Sequence, residues 1–314
     1  MKKILEIIIV VVVALVGIIL GLINGINLSE NQIDTLIILL IITGSSALYC
    51  FVVGEITRNN SQMDKLWSIL PIVYTWVIAA KGGMRVRLVV IAVLVTLWGA
   101  RLTYNFARKG AYSIKFWTGV EDYRWIVLRQ KKMFSSKFTW ALFDLFFISI
   151  YQNGLVLAMC LPALASMDST IPFGVFDIIA TIFVLLFLII ETIADEEQWK
   201  FQSKKKELLK DGKKLEELPE PYNKGFNTIG LWSRSRHPNY LGEQGIWVSI
   251  YLFAIASRVT HLGIFNWSIF GSMLILLLFL GSSSFGESVS SSKYPEYKEY
   301  QEKVSKYIPL KKYN

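Results

Sequence analysis

Histidine and cysteine are scarce in this 314-residue chain, with two of each, and charged residues make up only 18%. An average soluble domain carries about a quarter charged residues, so a conventional water-soluble fold is excluded first. The two histidines, His237 and His261, are separated by an apolar run, which leaves nothing from which to build a multi-histidine metal site. Cys50 and Cys160 both lie in apolar runs and form no C-x-x-C pair, so they read as free thiols buried as small hydrophobes. The chain also lacks G-x-G-x-x-G, a Walker loop, G-x-S-x-G and H-E-x-x-H. If a nucleotide binds, it binds without a Rossmann domain. There is no repeat of 20 to 50 residues and no low-complexity tract beyond Ser282 to Ser284 and Ser290 to Ser292.

What is abundant is apolar surface: 53% of residues are hydrophobic, ten are tryptophan, and the mean hydropathy is +0.44. Runs long enough to cross a bilayer as helices fall at about 4–23, 34–54, 66–80, 86–106, 138–163, 171–194, 240–258 and 262–282. The third is short, so the expectation is an all-α, polytopic integral membrane helix bundle of seven to eight transmembrane helices. Residues 1–57 read as N-terminal transmembrane helices and 58–314 as one functional membrane domain. The net charge of +9 could suggest nucleic acid, but the placement of the charges decides otherwise. Alternate inter-span regions, counted from the N-terminal tail, hold 28 Lys and Arg, the others hold 4, and Arg101 lies inside a span. That asymmetry follows the positive-inside rule and puts both termini and the two long loops, 107–137 and 195–239, in the cytoplasm. The first apolar run is longer than a signal-peptide core and is followed by no Ala-x-Ala-like site, so it reads as a retained helix. An Ile-, Lys- and Asn-rich chain beginning Met-Lys-Lys points to a bacterial cytoplasmic membrane. Gly17, Gly21 and Gly25 stand four apart, as close helix packing requires. The tail from Lys293 to Pro309 reads as a short amphipathic helix stopped by proline.

The stretch Gly230-Leu-Trp-Ser-Arg-Ser-Arg-His-Pro-Asn-Tyr-Leu-Gly-Glu243 concentrates arginine, histidine, amide, phenol and carboxylate at the start of an apolar run. Polar groups at a membrane boundary are costly unless they bind something. Arg234, Arg236 and Lys204 to Lys206 are candidates for phosphate contacts, the lysines reading equally as a solvated cytoplasmic flank. Pro238 opens a helix whose N-terminus can attract an anion. Further polar residues at span ends or within spans include Asp64, Arg101, Asn105, Asp144, Gln152, Asn153, Glu191 and Asp195. Antiparallel neighbours would bring Asp64 and Arg101 together, as a salt bridge or as part of a site.

Together with Ala194-Asp-Glu-Glu-Gln-Trp-Lys-Phe201, Asp64-Lys-Leu-Trp-Ser-Ile-Leu-Pro71, Trp98-Gly-Ala-Arg-Leu102 and Glu121-Asp-Tyr-Arg124, the motif resembles the steroid 5-alpha-reductase C-terminal family, in particular its broad bacterial branch. The likeness runs from about residue 58 to the end. It implies a membrane reductase that takes a hydride from NADPH and reduces a carbon-carbon double bond conjugated to a carbonyl. Asp195, Asn239, Tyr240 and Glu243 fall on positions resembling the family's cofactor contacts, with Arg236 and His237 beside them. Asp64 and Arg101 fall on positions resembling its substrate site, Asp64 where the steroid enzymes hold the carbonyl with a glutamate. Trp98 stands where those enzymes have a carbonyl-donating tyrosine, and Gln202 where a basic residue is expected. The expected partners are a lipophilic small-molecule substrate and membrane lipids, with no metal and no nucleic acid. The Arg-His-Pro-x-Tyr-x-Gly element is also shared with isoprenylcysteine and phospholipid methyltransferases, which use S-adenosylmethionine. A non-enzymatic lipid-binding protein is the third alternative.

Overall fold

The computed structural model describes residues 2–23, 25–210, 212–257, 264–310 and 313, and among these the regular structure is helical throughout. His261 lies outside the described residues. In chain order the α-helices are α1 (Lys2–Ile23), α2 (Glu30–Thr57), α3 (Gln62–Trp67), α4 (Leu70–Lys81), α5 (Val86–Ala107), α6 (Tyr123–Arg129) and α7 (Lys137–Phe143). A π-helical stretch, Asp144–Tyr151, then leads into α8 (Gln152–Met159), α9 (Leu161–Ala165), α10 (Val175–Lys210), α11 (Pro238–Ala256), α12 (Ile269–Lys293) and α13 (Tyr297–Lys303).

Five of these helical segments are long and apolar enough to cross a membrane: α2, α5, Lys137–Met159, α10 and α12. They coincide with five of the eight expected runs. Only 11% of the apolar window of α2 is buried, so most of that window is left for lipid. The first run is described only in part, with side chains from Ile7 to Ile23. The other two runs differ for physical reasons. The run at 66–80 is divided at Ser68 and Ile69, because Pro71 has no N–H to return to Trp67. The resulting α4 has 12 residues, roughly 18 Å of helix against a hydrocarbon core of about 30 Å. In α11, Asn239, Glu243 and Gln244 occupy the first two turns and lower its mean hydropathy.

The chain forms two compact units, one of Val13–Thr181 with Ile250–Leu274 and one of residues 1–12, Ile182–Ser249 and Ile275–Asn314. In the first unit, α2 begins with a capping box in which Ser29 and Gln32 bond reciprocally, each at 3.1 Å. Gly17 and Gly21 lie against Met273 and Ile269 and serve helix packing, whereas Gly25 lies beyond the end of α1 with φ +77 and nothing within 4 Å. Arg87, at the start of α5, meets Asp177 at 2.6 and 2.9 Å, and Ser169, Ile171 and Pro172 take its remaining donors. All five guanidinium N–H groups are thereby satisfied, which is what makes a buried ion pair tolerable. Asp144 opens the π-helical stretch and accepts from Asn60 at 2.7 Å and Ser149 at 3.3 Å.

In the second unit, Gly242 and Gly245 on α11 let that helix approach Glu191 and Phe187 of α10 closely. An added Cβ at Gly242 would overlap the backbone of Glu191. The loop before α11 is tied to α10 by the Trp232 indole on the Ala194 carbonyl (3.0 Å) and the Leu231 amide on Glu197 (2.8 Å). Gly230 has φ +59, and the Glu197 carboxylate occupies the space a side chain there would need. The tail helix α13 stops at Val304, which is extended, earlier than Pro309 would require. Residues 305 and 306 leave the helix to bond with 235–237.

Candidate functional site

Around the motif 230–243, the second unit gathers all six residues expected at a cofactor site, but in two different settings. Arg236 and His237 are buried and face the end of α12 and the tail. Arg236 Nε donates to Glu287 Oε1 at 2.7 Å, and its Nη1 donates to the carbonyls of Gln301 (2.8 Å) and Val304. His237 Nε2 lies 3.0 Å from the same Glu287 oxygen. Gln301 Nε2 donates to the other oxygen at 2.7 Å. The backbone amides of Arg236 and His237 donate to the carbonyls of Ser305 and Lys306, each at 3.0 Å. Glu287 thus holds the motif and the C-terminal tail together. Burial pulls the pKa of His237 down, opposed by its hydrogen bond to Glu287. Its ring stacks on Tyr240, centroids 5.2 Å apart and planes at 10°, and Tyr240 packs against Phe279.

Asn239 and Asp195 form the second setting. Asn239 Nδ2 donates to Asp195 Oδ1 at 3.3 Å, linking the first turn of α11 to α10. That bond orients the amide and leaves Asn239 Oδ1, a buried acceptor, without a hydrogen-bond partner. One turn further along α11, Glu243 is buried and accepts from the Trp247 indole at 3.2 Å. Arg234 is exposed, as are Lys204 and Lys206, whereas Lys205 is turned inward onto the Gly225 carbonyl at 2.5 Å.

Asp64 and Arg101 belong to the first unit. Asp64, in α3, accepts from Arg124 Nη2 at 3.1 Å and from the Trp125 indole at 2.7 Å. Both donors come from α6, at the end of Glu121-Asp-Tyr-Arg124. Arg124 also donates to Asp122 at 2.8 Å. Burial raises the pKa of Asp64, and Arg124 works against that rise. Arg101 lies on the turn of α5 next to the segment after Asp64. There Gly99 abuts the Ser68 carbonyl and Thr103 bonds Ser68 at 2.7 Å. Trp98 is fully buried.

Glu287, Arg124 and Trp125 were not among the expected site residues. For Glu287 a signal existed: a lone carboxylate just past an apolar run must find a cationic partner. Arg124 closes the motif Glu121-Asp-Tyr-Arg124, which marked the segment but not its partner, 60 residues away, and Trp125 follows it directly.

Among known sequences, the profile of the family described as protein of unknown function (DUF1295) matches residues 50–304. An uncharacterised protein of Schizosaccharomyces pombe is 36% identical over 283 residues, covering 83% of this chain and 78% of its own. No solved structure matches the chain.

Proposed function

This chain belongs to the DUF1295 family, and we propose that it is a membrane-embedded reductase that transfers a hydride from NADPH to a carbon-carbon double bond conjugated to a carbonyl in a lipophilic, steroid- or isoprenoid-like substrate. The single observation that carries this reading is the unpartnered Asn239 Oδ1 beside Asp195. A half-buried amide held by one end, with its buried acceptor oxygen unused, suits a ligand that brings a hydroxyl or amide donor. A dinucleotide brings both, on its riboses and its carboxamide. Tyr240 and Glu243, on the same stretch of α11, are the other proposed contacts. The donors of Arg236 already engaged by Glu287 and the tail are not available to a phosphate, so the phosphate grip falls to exposed Arg234, Lys204 and Lys206. Arg236 and His237 act on the cofactor by holding this wall in place.

When bound, the nicotinamide supplies the hydride. Hydride arriving at the beta carbon drives negative charge onto the carbonyl oxygen, which a hydrogen-bond donor in a low-dielectric site stabilises. Asp64 is the proposed donor, and its raised pKa has the sign that role needs. Arg124, with Arg101 as the second basic group, sets how readily Asp64 holds its proton. The proposed setting is a bacterial cytoplasmic membrane with the C-terminus and the loops 107–137 and 195–239 cytoplasmic, supported by the concentration of Lys and Arg in those segments; α1 and α11 then complete seven spans and carry the N-terminus to the opposite side.

A thermal-shift comparison of NADPH with S-adenosylmethionine on detergent-purified protein tests the proposal. A ligand at 100 times its dissociation constant adds about 2.7 kcal/mol of stability. Stabilisation by NADPH is expected; stabilisation by S-adenosylmethionine alone would assign the site to methyl transfer instead.

A further inference from the structure

The loop between α5 and Lys137–Met159 is held from beneath and greasy on its outer side. From beneath, Lys65, fully buried, donates through Nζ to the carbonyls of Phe116 (2.7 Å) and Thr118 (2.6 Å). Gln62 donates to the Trp117 carbonyl and Asn59 to that of Gly119, each at 3.0 Å. Four side-chain bonds therefore fix the backbone of 116–119. Outward, Ile114, Trp117, Val120, Tyr123, Ile126 and Met133 are all exposed. A soluble loop that left six large apolar side chains in water within 20 residues would be an aggregation surface. Both ends of this loop emerge from membrane-crossing helices, so the nearest apolar medium is the bilayer.

The charges on the loop are similarly sorted. Its acids are neutralised internally: Glu121 accepts from Arg129 and from the Asn60 amide (2.7 Å), and Asp122 from Arg124. Lys115, Lys132 and Lys137 are exposed. The outer side thus combines apolar and aromatic groups with uncompensated positive charge, the pairing that suits the headgroup region of a leaflet rich in anionic lipid.

We infer that the segment 112–133 lies in the headgroup layer of the cytoplasmic leaflet and binds anionic phospholipid through Lys115 and Lys132. The inference rests on the orientation proposed above, and not on the reductase chemistry. It can therefore fail while that chemistry stands, and the reverse.

Nitroxide labels test it on full-length protein in nanodiscs of phosphatidylcholine with phosphatidylglycerol. The two native thiols, Cys50 and Cys160, are buried, which leaves introduced cysteines as the labelling sites. Ile114→Cys, Trp117→Cys and Met133→Cys are expected to relax faster with oxygen than with a water-soluble nickel reagent, whereas the exposed Glu216→Cys shows the opposite. If all four favour the nickel reagent, or if the loop labels show spin-spin broadening from a second copy, the inference is overturned. Independently, Lys115→Gln with Lys132→Gln should weaken phosphatidylglycerol retention, measured by mass spectrometry of the purified protein, about fivefold per lysine. Undiminished retention overturns the charge assignment.

Discussion

Glu287 carries the most demanding test of the structure. Its side chain is 1% exposed and receives three donors: Arg236 at 2.7 Å, His237 at 3.0 Å and Gln301 at 2.7 Å. Glu287→Ala removes the counter-charge while Arg236 remains 4% exposed, and breaking a buried pair from one side costs about 3–5 kcal/mol. Glu287→Gln keeps one acceptor oxygen and should lose less, about 2 kcal/mol, the worth of hydrogen bonds to a charged group. Replacing both partners, Glu287→Leu with Arg236→Met, should recover most of the loss, because neither charge is then left buried. Unfolding in mixed micelles with increasing dodecyl sulfate, followed by tryptophan fluorescence, compares the wild type with these three variants. Limited proteolysis gives a second readout, since Arg236 holds the tail at Gln301 and Val304. A loss below about 1 kcal/mol for Glu287→Ala, in the range of an exposed pair, would refute the claim that this carboxylate joins motif to tail.

Three further outcomes follow. Gly242→Ala forces a Cβ onto the backbone of Glu191 and should cost about 1–3 kcal/mol in the same assay; an unchanged midpoint would mean that α10 and α11 do not meet so closely. His237 has a folded pKa below its unfolded value of about 6.5. Unfolded chains therefore take up the proton first, and this contribution to stability, complete above pH 6.5 or so, is lost as pH falls through the folded value. His237→Gln should flatten the decline between pH 7.5 and 5.5, and parallel pH profiles would count against the buried neutral imidazole. Asp64→Asn should abolish turnover of an identified enone while leaving the thermal midpoint within a few degrees; normal turnover would remove Asp64 from the chemistry.

Long apolar runs were legible in the sequence because helical hydrophobicity is a local property of a segment, and five of them are long apolar helices. The segment after residue 194, counted in the sequence with a long loop, continues as helix to Lys210 within the unbroken α10. Legibility failed where distant residues decide. Whether 66–80 spans or breaks turned on a single proline. The tail helix ends early because residues 305 and 306 pair with 235–237, a competition that no local pattern encodes. The bond of Arg236 to Glu287, 51 positions away, was not legible from residue type. In the same way, Arg124 bonds Asp64 from 60 positions away. Residue types were readable; which distant group reaches a given carboxylate was not.

The central claim is that Asp195 and Asn239 hold a dinucleotide. Titration calorimetry of NADPH against the purified wild-type protein and Asn239→Ala tests it most directly. Losing one ligand hydrogen bond and leaving its donor unpaired costs about 1–3 kcal/mol, roughly 5- to 150-fold in affinity. The account predicts that NADPH binds the wild type and that Asn239→Ala, with an unchanged thermal midpoint, binds at least fivefold more weakly. Equal affinity for both proteins, or no NADPH binding to the wild type, would contradict it.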